Sequence, residues 1–464
     1  MGVLSHDLVV GRLSIAARLE RLPITRFQRT IFAVIATAWL FDSMDLGIMT
    51  FVLGTIKAEF HLSTVQAGML ASASFVGMLA GAAIAGVLAD RFGRKPVFQV
   101  SMIFWGIGSL LCAVAHDIGW LMAFRILLGF GMGMEFPIGQ SIMSEIVPAA
   151  HRGRYVALLE GFWPIGFIAA GTLAYFLLPI VGWRGIFIVL AIPSVFVFVV
   201  RRCVPESPRW LESAGRTVEA DEVVTRIETK VKTALGTDAL PAVEPVTQAT
   251  TNEPAPAGRA SLAQLWKRGY ARRTAMTWTL WFFALLGYYG LTTWLSALLQ
   301  NAGYEATKSV IYTVAISLAG IPGFAVFAWL LEDWGRKFSC VLALTGSAIF
   351  AYLYGQAATT HTPVEQLIAV GMCMQFFLFG MWSVLYAYTP ELYPTRVRAT
   401  GAGFASAVGR LGSLLGPSVI GLVLPLAGQR GVFTIGAASF LIAALAVITL
   451  GVETRGRALE EVSV

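Results

Sequence analysis

The sequence predicts an all-α membrane protein whose twelve transmembrane helices form two pseudo-symmetric six-helix halves. Three observations carry that prediction. Of the 464 residues, 56% are hydrophobic and only 13% are charged, with a mean hydropathy of +0.71. A soluble chain needs roughly a quarter of its residues charged to cover its surface. Twelve apolar runs are long enough to cross a bilayer, which takes about 20 residues of helix. Finally, a short acidic and basic pattern occurs twice, once in each half.

The runs are 30–56, 65–89, 97–115, 119–144, 154–179 and 183–200, then 274–299, 308–332, 339–358, 365–389, 400–425 and 430–452. Glycines lie inside them, as at Gly77, Gly81 and Gly86 or Gly129, Gly131 and Gly133. Within lipid, small residues let helices pack closely. The four cysteines show neither metal-ligand spacing nor a paired framework, so free thiols and no metal site are expected. The net charge of +7 resides in basic residues of short loops, a topology signal, and nucleic acid is not an expected partner. No signal-peptide pattern precedes the first run, because the stretch from Arg12 to Arg29 is charged.

Lysine and arginine set the orientation. One set of loops carries Arg91, Arg94 and Lys95, then Arg152 and Arg154, Arg336 and Lys337, and Arg396 and Arg398. The opposite set has only Lys57, Arg184, Lys308 and Arg430. The positive-inside rule places the first set, both termini and the middle loop in the cytoplasm. The expected organisation is a tail over 1–29, a half over 30–200, a linker with short helices over 201–273, a half over 274–452 and a tail over 453–464. Within the linker, 209–235 is helix-compatible and 240–258 reads as flexible.

The repeat makes this layout specific. Asp90-Arg91-Phe92-Gly93-Arg94-Lys95 returns as Asp333-Trp334-Gly335-Arg336-Lys337, one residue shorter. Glu145, followed by Arg152 and Arg154, returns as Glu391, followed by Arg396 and Arg398. The two arginines keep one common offset, and Asp90 to Asp333 differs from it by a single residue. An architecture of two repeated halves places a substrate site between them near the bilayer midplane.

Ionisable side chains inside spans are costly unless paired or hydrated, so each is a functional candidate. Asp42 and Asp45 stand three apart on the first span, on neighbouring faces of one turn. Asp45 lies roughly 16 Å from the outer end of its span and Arg125 roughly 9 Å from that of the fourth, at 1.5 Å per residue. An arginine favours the charged form of a nearby aspartate and burial opposes it, so moving the arginine can trigger proton uptake; the bland alternative is a static ion pair. Glu135, followed by Pro137, is either a second proton-handling acid or a partner for Arg410. Arg410 sits mid-span among small residues with no acid within reach on its own helix. Its planar fork suits a carboxylate, unless it bridges to Glu160 or Glu135. Trp163 lies one turn from Glu160.

Gly86 through Lys95 resembles the signature loop of the major facilitator superfamily. An acid and several bases in a tight glycine turn suit interdomain ion pairs that break and reform. Pro205-Glu206-Ser207-Pro208-Arg209-Trp210-Leu211, Glu391-Leu392-Tyr393-Pro394-Thr395-Arg396 and Glu453-Thr454-Arg455-Gly456-Arg457 resemble motifs of sugar-porter-like members. The resemblance implies a cytoplasmic charge network closing an inner gate, built from Asp90, Arg91, Arg94, Glu145, Arg152, Glu206 and Arg209 in one half and Asp333, Arg336, Glu391, Arg396 and Glu453 in the other. It implies Asp45 and Arg125 as the proton-coupling pair, with Asp42 and Glu135 as further candidates. It also implies substrate contacts at Arg410, Tyr289, Tyr386 and Glu160.

The seventh span departs from the sugar-porter pattern. Where amides would meet hydroxyls it reads Trp281-Phe282-Phe283-Ala284-Leu285-Leu286-Gly287-Tyr288-Tyr289-Gly290, an aromatic wall that suits a flat ring. Trp39-Leu40-Phe41-Asp42-Ser43-Met44-Asp45, Leu159-Glu160-Gly161-Phe162-Trp163 and Leu385-Tyr386-Ala387-Tyr388-Thr389-Pro390-Glu391 resemble bacterial niacin (nicotinate) transporters. Those belong with the aromatic-acid/proton symporters and the synaptic-vesicle glycoprotein 2 relatives. The expected function is proton-coupled uptake of a small aromatic carboxylate such as nicotinate, in the inner (plasma) membrane. Another organic acid, a neutral aromatic or a non-transporting sensor are the alternatives. The expected partners are that solute, protons and the bilayer, for a monomer with no cofactor. No nucleophile–base constellation or Walker-type loop points to an enzyme or to direct use of ATP.

Overall fold

The computed structural model describes residues 15–237, 239–241, 265–266, 270–358, 362–393 and 398–455, and these are almost wholly helical. Among them, ten helical stretches have the length and apolarity to cross a membrane. Two of the ten are pairs of helices fused end to end, broken by non-helical backbone at Gly182 (φ 65°) and Gly428 (φ 61°). Those breaks fall within the short gaps expected between the fifth and sixth and the eleventh and twelfth runs, which restores twelve spans.

The helices overrun the apolar runs that predicted them. The first span is Arg26–Glu59, 34 residues, or about 51 Å at 1.5 Å per residue. That exceeds a hydrocarbon core of about 30 Å, so its polar ends project into water. It starts four residues before the expected boundary because Thr25 and Gln28 form a capping box. Ser63 and Gln66 do the same for the second span, Thr64–Phe92. The third, fourth and seventh spans are Arg94–Ala113, Ile118–Ile146 and Ala271–Asn301. The ninth and tenth are Arg336–Ala357 and Val364–Glu391. The eighth is built from Ala306–Leu318 and Gly320–Asp333. The helix-compatible part of the linker forms Pro208–Ser213 and Thr217–Leu235. Much of 240–258, expected to be flexible, lies outside the described residues.

Of the six span glycines singled out from the sequence, five sit at close helix approaches and Gly86 does not. A Cβ on Gly77 or Gly81 of the second span would collide with the carbonyls of Ile126 and Phe130 on the fourth, and one on Gly129 with the carbonyl of Ser74. A Cβ on Gly131 would stand 2.6 Å from Ser101 O of the third span, a somewhat looser approach. Gly86 has nothing within 4 Å and plays no part in close packing. Gly77→Ala is therefore expected to lower thermal stability in detergent by about 1–3 kcal/mol. Gly86→Ala, in open space on a helix, should leave the melting temperature unchanged or slightly raised.

The halves meet away from the basic loops. The Ser72 and Ser418 hydroxyls are 2.8 Å apart. A Cβ on Gly68 would stand 2.7 Å from the carbonyl of Pro417, and one on Gly421 2.6 Å from that of Thr64. Thr64 opens the second span at the end opposite Arg91–Lys95, so this seal closes one face of the molecule. A short helix, Ile15–Glu20, lies on the other face, where Ile15, Leu19 and Leu22 pack with Trp210, Leu211, Val224 and Ile227 of the linker helices.

Candidate functional site

Between the halves lies a partly open cavity with about 620 Å³ of space between atoms, some of it continuous with the exterior. The fourth, fifth, seventh, tenth and eleventh spans all contribute walls. Arg410, Tyr289, Tyr386, Glu160 and Trp163, the five residues expected at a substrate site, all line it.

Aromatic rings dominate the lining. Tyr289 meets Phe75 edge-on at 4.7 Å between centroids, and Trp382 lies nearly parallel to Tyr386 at 5.8 Å. Trp281 abuts Tyr386 at 5.4 Å, and Phe136 abuts Trp163 at 5.4 Å. Of the expected seventh-span wall, Trp281 and Tyr289 face this cavity. Tyr288 faces a smaller neighbouring one, and Phe282 and Phe283 line neither. Trp382 and Phe136 were not anticipated. Trp382 precedes Tyr386 by one helical turn and shares its face, which was the available signal.

The polar groups are few. Arg410 is half-buried, with its guanidinium carbon 5.7 Å from the Phe136 ring centroid. It makes no hydrogen bond or ion pair within the protein among the described residues. Neither Glu160 nor Glu135 bridges to it, so the interhelical alternative is not what the structure contains. Glu160, on the facing half, is buried and accepts a hydrogen bond from Gln140 Nε2 at 3.0 Å. Ser406 and Ser413 complete the polar lining.

Asp45 and Arg125 come together as their depths suggested. Both are fully buried, with Arg125 Nη1 3.4 Å from Asp45 Oδ1. The Trp105 indole donates to Asp45 Oδ2 at 2.8 Å. Arg125 Nε and Nη2 find no acceptor among the described residues. Arg125 borders the second cavity, which shares Phe75, Trp163 and Tyr289 with the first. The pair is thus one layer of side chains from the larger cavity. Asp42 and Glu135 are each 1% exposed, and each keeps one carboxyl oxygen without a partner.

The basic face carries two copies of one arrangement. Gly93 (φ 101°) and Gly335 (φ 94°) adopt backbone angles that side chains resist, and each starts a helix whose first amides point at a distant glutamate. Glu206 Oε1 accepts from the Arg94 and Lys95 amides at 2.9 and 3.3 Å. Glu453 accepts from those of Arg336 and Lys337 at 2.8 and 3.0 Å. Arg94 pairs with Asp90 at 3.0 Å and Glu145 at 3.2 Å. Arg336 pairs with Glu332 at 3.4 Å and Glu391 at 3.0 Å.

One expectation is corrected here. The counterpart of Asp90 is Glu332, not Asp333. The second signature is one residue shorter, and the acid one helical turn before the arginine is the one that reaches it. In this structure, among the described residues, Arg94 and Arg336 each pair within their own half, because the repeat supplies each signature loop with its own glutamates. Arg91 lies over the Phe92 ring, 5.2 Å from its centroid, rather than in an ion pair. Arg152 and Arg209 converge on Glu20 at 2.9 and 2.6 Å, an acid whose role its place in a charged tail conceals. Arg396 lies outside the described residues.

Glu453 yields a pH prediction. Burial pushes its carboxyl up, but the amides of Arg455, Arg336, Lys337 and Thr454 outweigh that and hold it below the usual carboxylate range. A carboxyl depressed by folding stabilises the fold above its unfolded pKa of about 4.3, and that contribution is lost as pH falls through the folded value. Glu453→Gln should therefore lower the melting temperature at pH 7, with the gap to wild type closing as the buffer is acidified below pH ~4.

Comparison with known proteins agrees with this geometry. The sequence profile described as sugar (and other) transporter matches residues 33–464. The niacin transporter NiaP of Acinetobacter baylyi is 38% identical over 451 residues, covering 97% of this chain and 100% of that one. The synaptic vesicle 2-related protein of Bos taurus is 26% identical over 476 residues, covering 96% of this chain and 82% of that one. In fold, the inward-open conformation of the xylose transporter XylE from E. coli superposes with a TM-score of 0.72 at 19% identity, covering 94% of this chain and 99% of that one. The chain is a multi-pass membrane transporter belonging to the sugar (and other) transporter family.

Proposed function

We propose that this transporter carries out proton-coupled uptake of nicotinate, or a close aromatic carboxylate, across the plasma membrane by alternating access. The observation that carries the reading is Arg410: a guanidinium with no hydrogen-bond or ion-pair partner among the described residues, inside an aromatic cavity between the halves. A planar fork of donors matches a carboxylate, and edge-on and parallel rings match the faces of a flat heterocycle. The 38% identical relative named a niacin transporter supports the same substrate.

In this reading the basic face is cytoplasmic and both termini lie there. The seal between Gly68 and Pro417 then closes the outer side, so the structure is the inward-facing state. Asp45 takes the proton, and Arg125 reports its charge state to the cavity through the layer the two cavities share. The paired charge clusters of Arg94 and Arg336, with Arg152 and Arg209 on Glu20, act as the inner gate by holding each half rigid while the halves rock. The working unit is the monomer, since both walls of the cavity come from one chain.

The test is uptake of radiolabelled nicotinate into proteoliposomes with and without an inward proton gradient. Gradient-dependent accumulation that unlabelled nicotinate abolishes is the expected result. Absent uptake, with no competition by nicotinamide or benzoate, rejects the substrate, and equal accumulation without a gradient rejects symport.

A further inference from the structure

One acid and one base, from opposite halves, line the cavity. Arg410 enters from the eleventh span, in the second half, and Glu160 from the fifth, in the first. Among the described residues, no ion pair joins them and no other cation contacts Glu160. Glu160 is fixed by the amide of Gln140 at 3.0 Å, whereas Arg410 rests over the Phe136 ring. A buried carboxyl on one half and a half-buried guanidinium on the other line the same ring-walled cavity, and the guanidinium has no hydrogen-bond or ion-pair partner among the described residues. That is costly in a low-dielectric site unless a ligand bridges the two.

We propose that Glu160 is the specificity residue for a ring nitrogen: it shares one proton with the heterocyclic nitrogen of the substrate while Arg410 holds the carboxylate. This rests on the ring-carboxylate reading above and adds what the rest of the ring must carry. Benzoate fills the same aromatic slot and satisfies Arg410, but leaves Glu160 facing a C–H edge. A pyridine carboxylate with its nitrogen away from the carboxylate satisfies both ends. The heavy-atom arrangement is the same whether the proton sits on the nitrogen, as a zwitterion facing a carboxylate, or on Glu160, as an acid donating to a neutral pyridine. Either way the bond is short, directional and made only by a ring with a basic nitrogen. Picolinate, whose nitrogen adjoins the carboxylate, directs it toward Arg410 and falls in the benzoate class.

Equilibrium binding on purified protein in nanodiscs tests this, with radiolabelled nicotinate displaced by nicotinate, isonicotinate, picolinate and benzoate. In wild type, nicotinate and isonicotinate are expected to bind roughly tenfold or more tightly than picolinate and benzoate, the discrimination one hydrogen bond to a charged group provides. Glu160→Met should weaken nicotinate by about tenfold while leaving benzoate within about twofold. Wild-type affinities for nicotinate and benzoate within about twofold of each other overturn the inference, as does a Glu160→Met protein that weakens every ligand alike. The wild-type series decides even if that variant fails to fold. Failure of all four acids to bind wild type rejects the ring-carboxylate reading itself, a different result from equal binding.

Discussion

Arg410→Ala is expected to reduce nicotinate binding and low-concentration uptake on the order of a hundredfold, with little change in melting temperature. The size follows from losing a bidentate, charge-assisted contact worth about 3 kcal/mol, at 1.4 kcal/mol per decade. The neutrality toward stability follows from Arg410 having no hydrogen bond or ion pair to lose among the described residues. A residue that bridged helices would show the opposite signature, because its removal strands a partner. Arg410→Lys keeps the charge but not the fork, so an intermediate loss is expected. Binding and thermal unfolding measured on the same preparations separate these outcomes. A large fall in melting temperature for Arg410→Ala would make the residue structural.

Asp45→Asn is the second large effect. Concentrative, gradient-driven uptake should vanish, while exchange of internal for external nicotinate without a gradient continues. Asparagine keeps an acceptor for the Trp105 indole, which donates to Asp45 Oδ2 at 2.8 Å, and so preserves local shape. It removes the charge that Arg125 faces at 3.4 Å. Breaking one side of a buried ion pair typically costs 3–5 kcal/mol, so lower yield is expected too, and rates must be normalised to folded protein. Undiminished, still pH-dependent accumulation by Asp45→Asn would remove Asp45 from the proton pathway.

The parts legible in the sequence share a physical reason. An ionisable residue inside an apolar run is expensive, so Arg410, Glu160, Asp45 and Arg125 stand out from the sequence alone. The breaks at Gly182 and Gly428 are legible because apolar runs stop there even though the helices nearly continue. Aromatic residues carry no such cost, since a ring in a span is equally at home against lipid; only its place one turn before Tyr386 separates Trp382 from packing residues, and nothing separates Phe136. Pair identities are the least legible. The choice of Glu332 over Asp333 depends on helical phase at a turn one residue shorter than its counterpart. Glu20 lies before the first span, in a stretch that reads as a charged tail. Its partners, Arg152 and Arg209, are distant in sequence and meet it only once the short N-terminal helix docks on the linker helices.

The central claim, that a ring carboxylate sits between the halves with its acid group on Arg410, is tested most directly by a cryo-EM map of the protein with nicotinate bound. Density for the ring among Tyr289, Trp382 and Tyr386, with the carboxylate on the Arg410 guanidinium and the ring nitrogen toward Glu160, is the predicted result. A saturated complex with that cavity empty, or with the carboxylate turned away from Arg410, would contradict it.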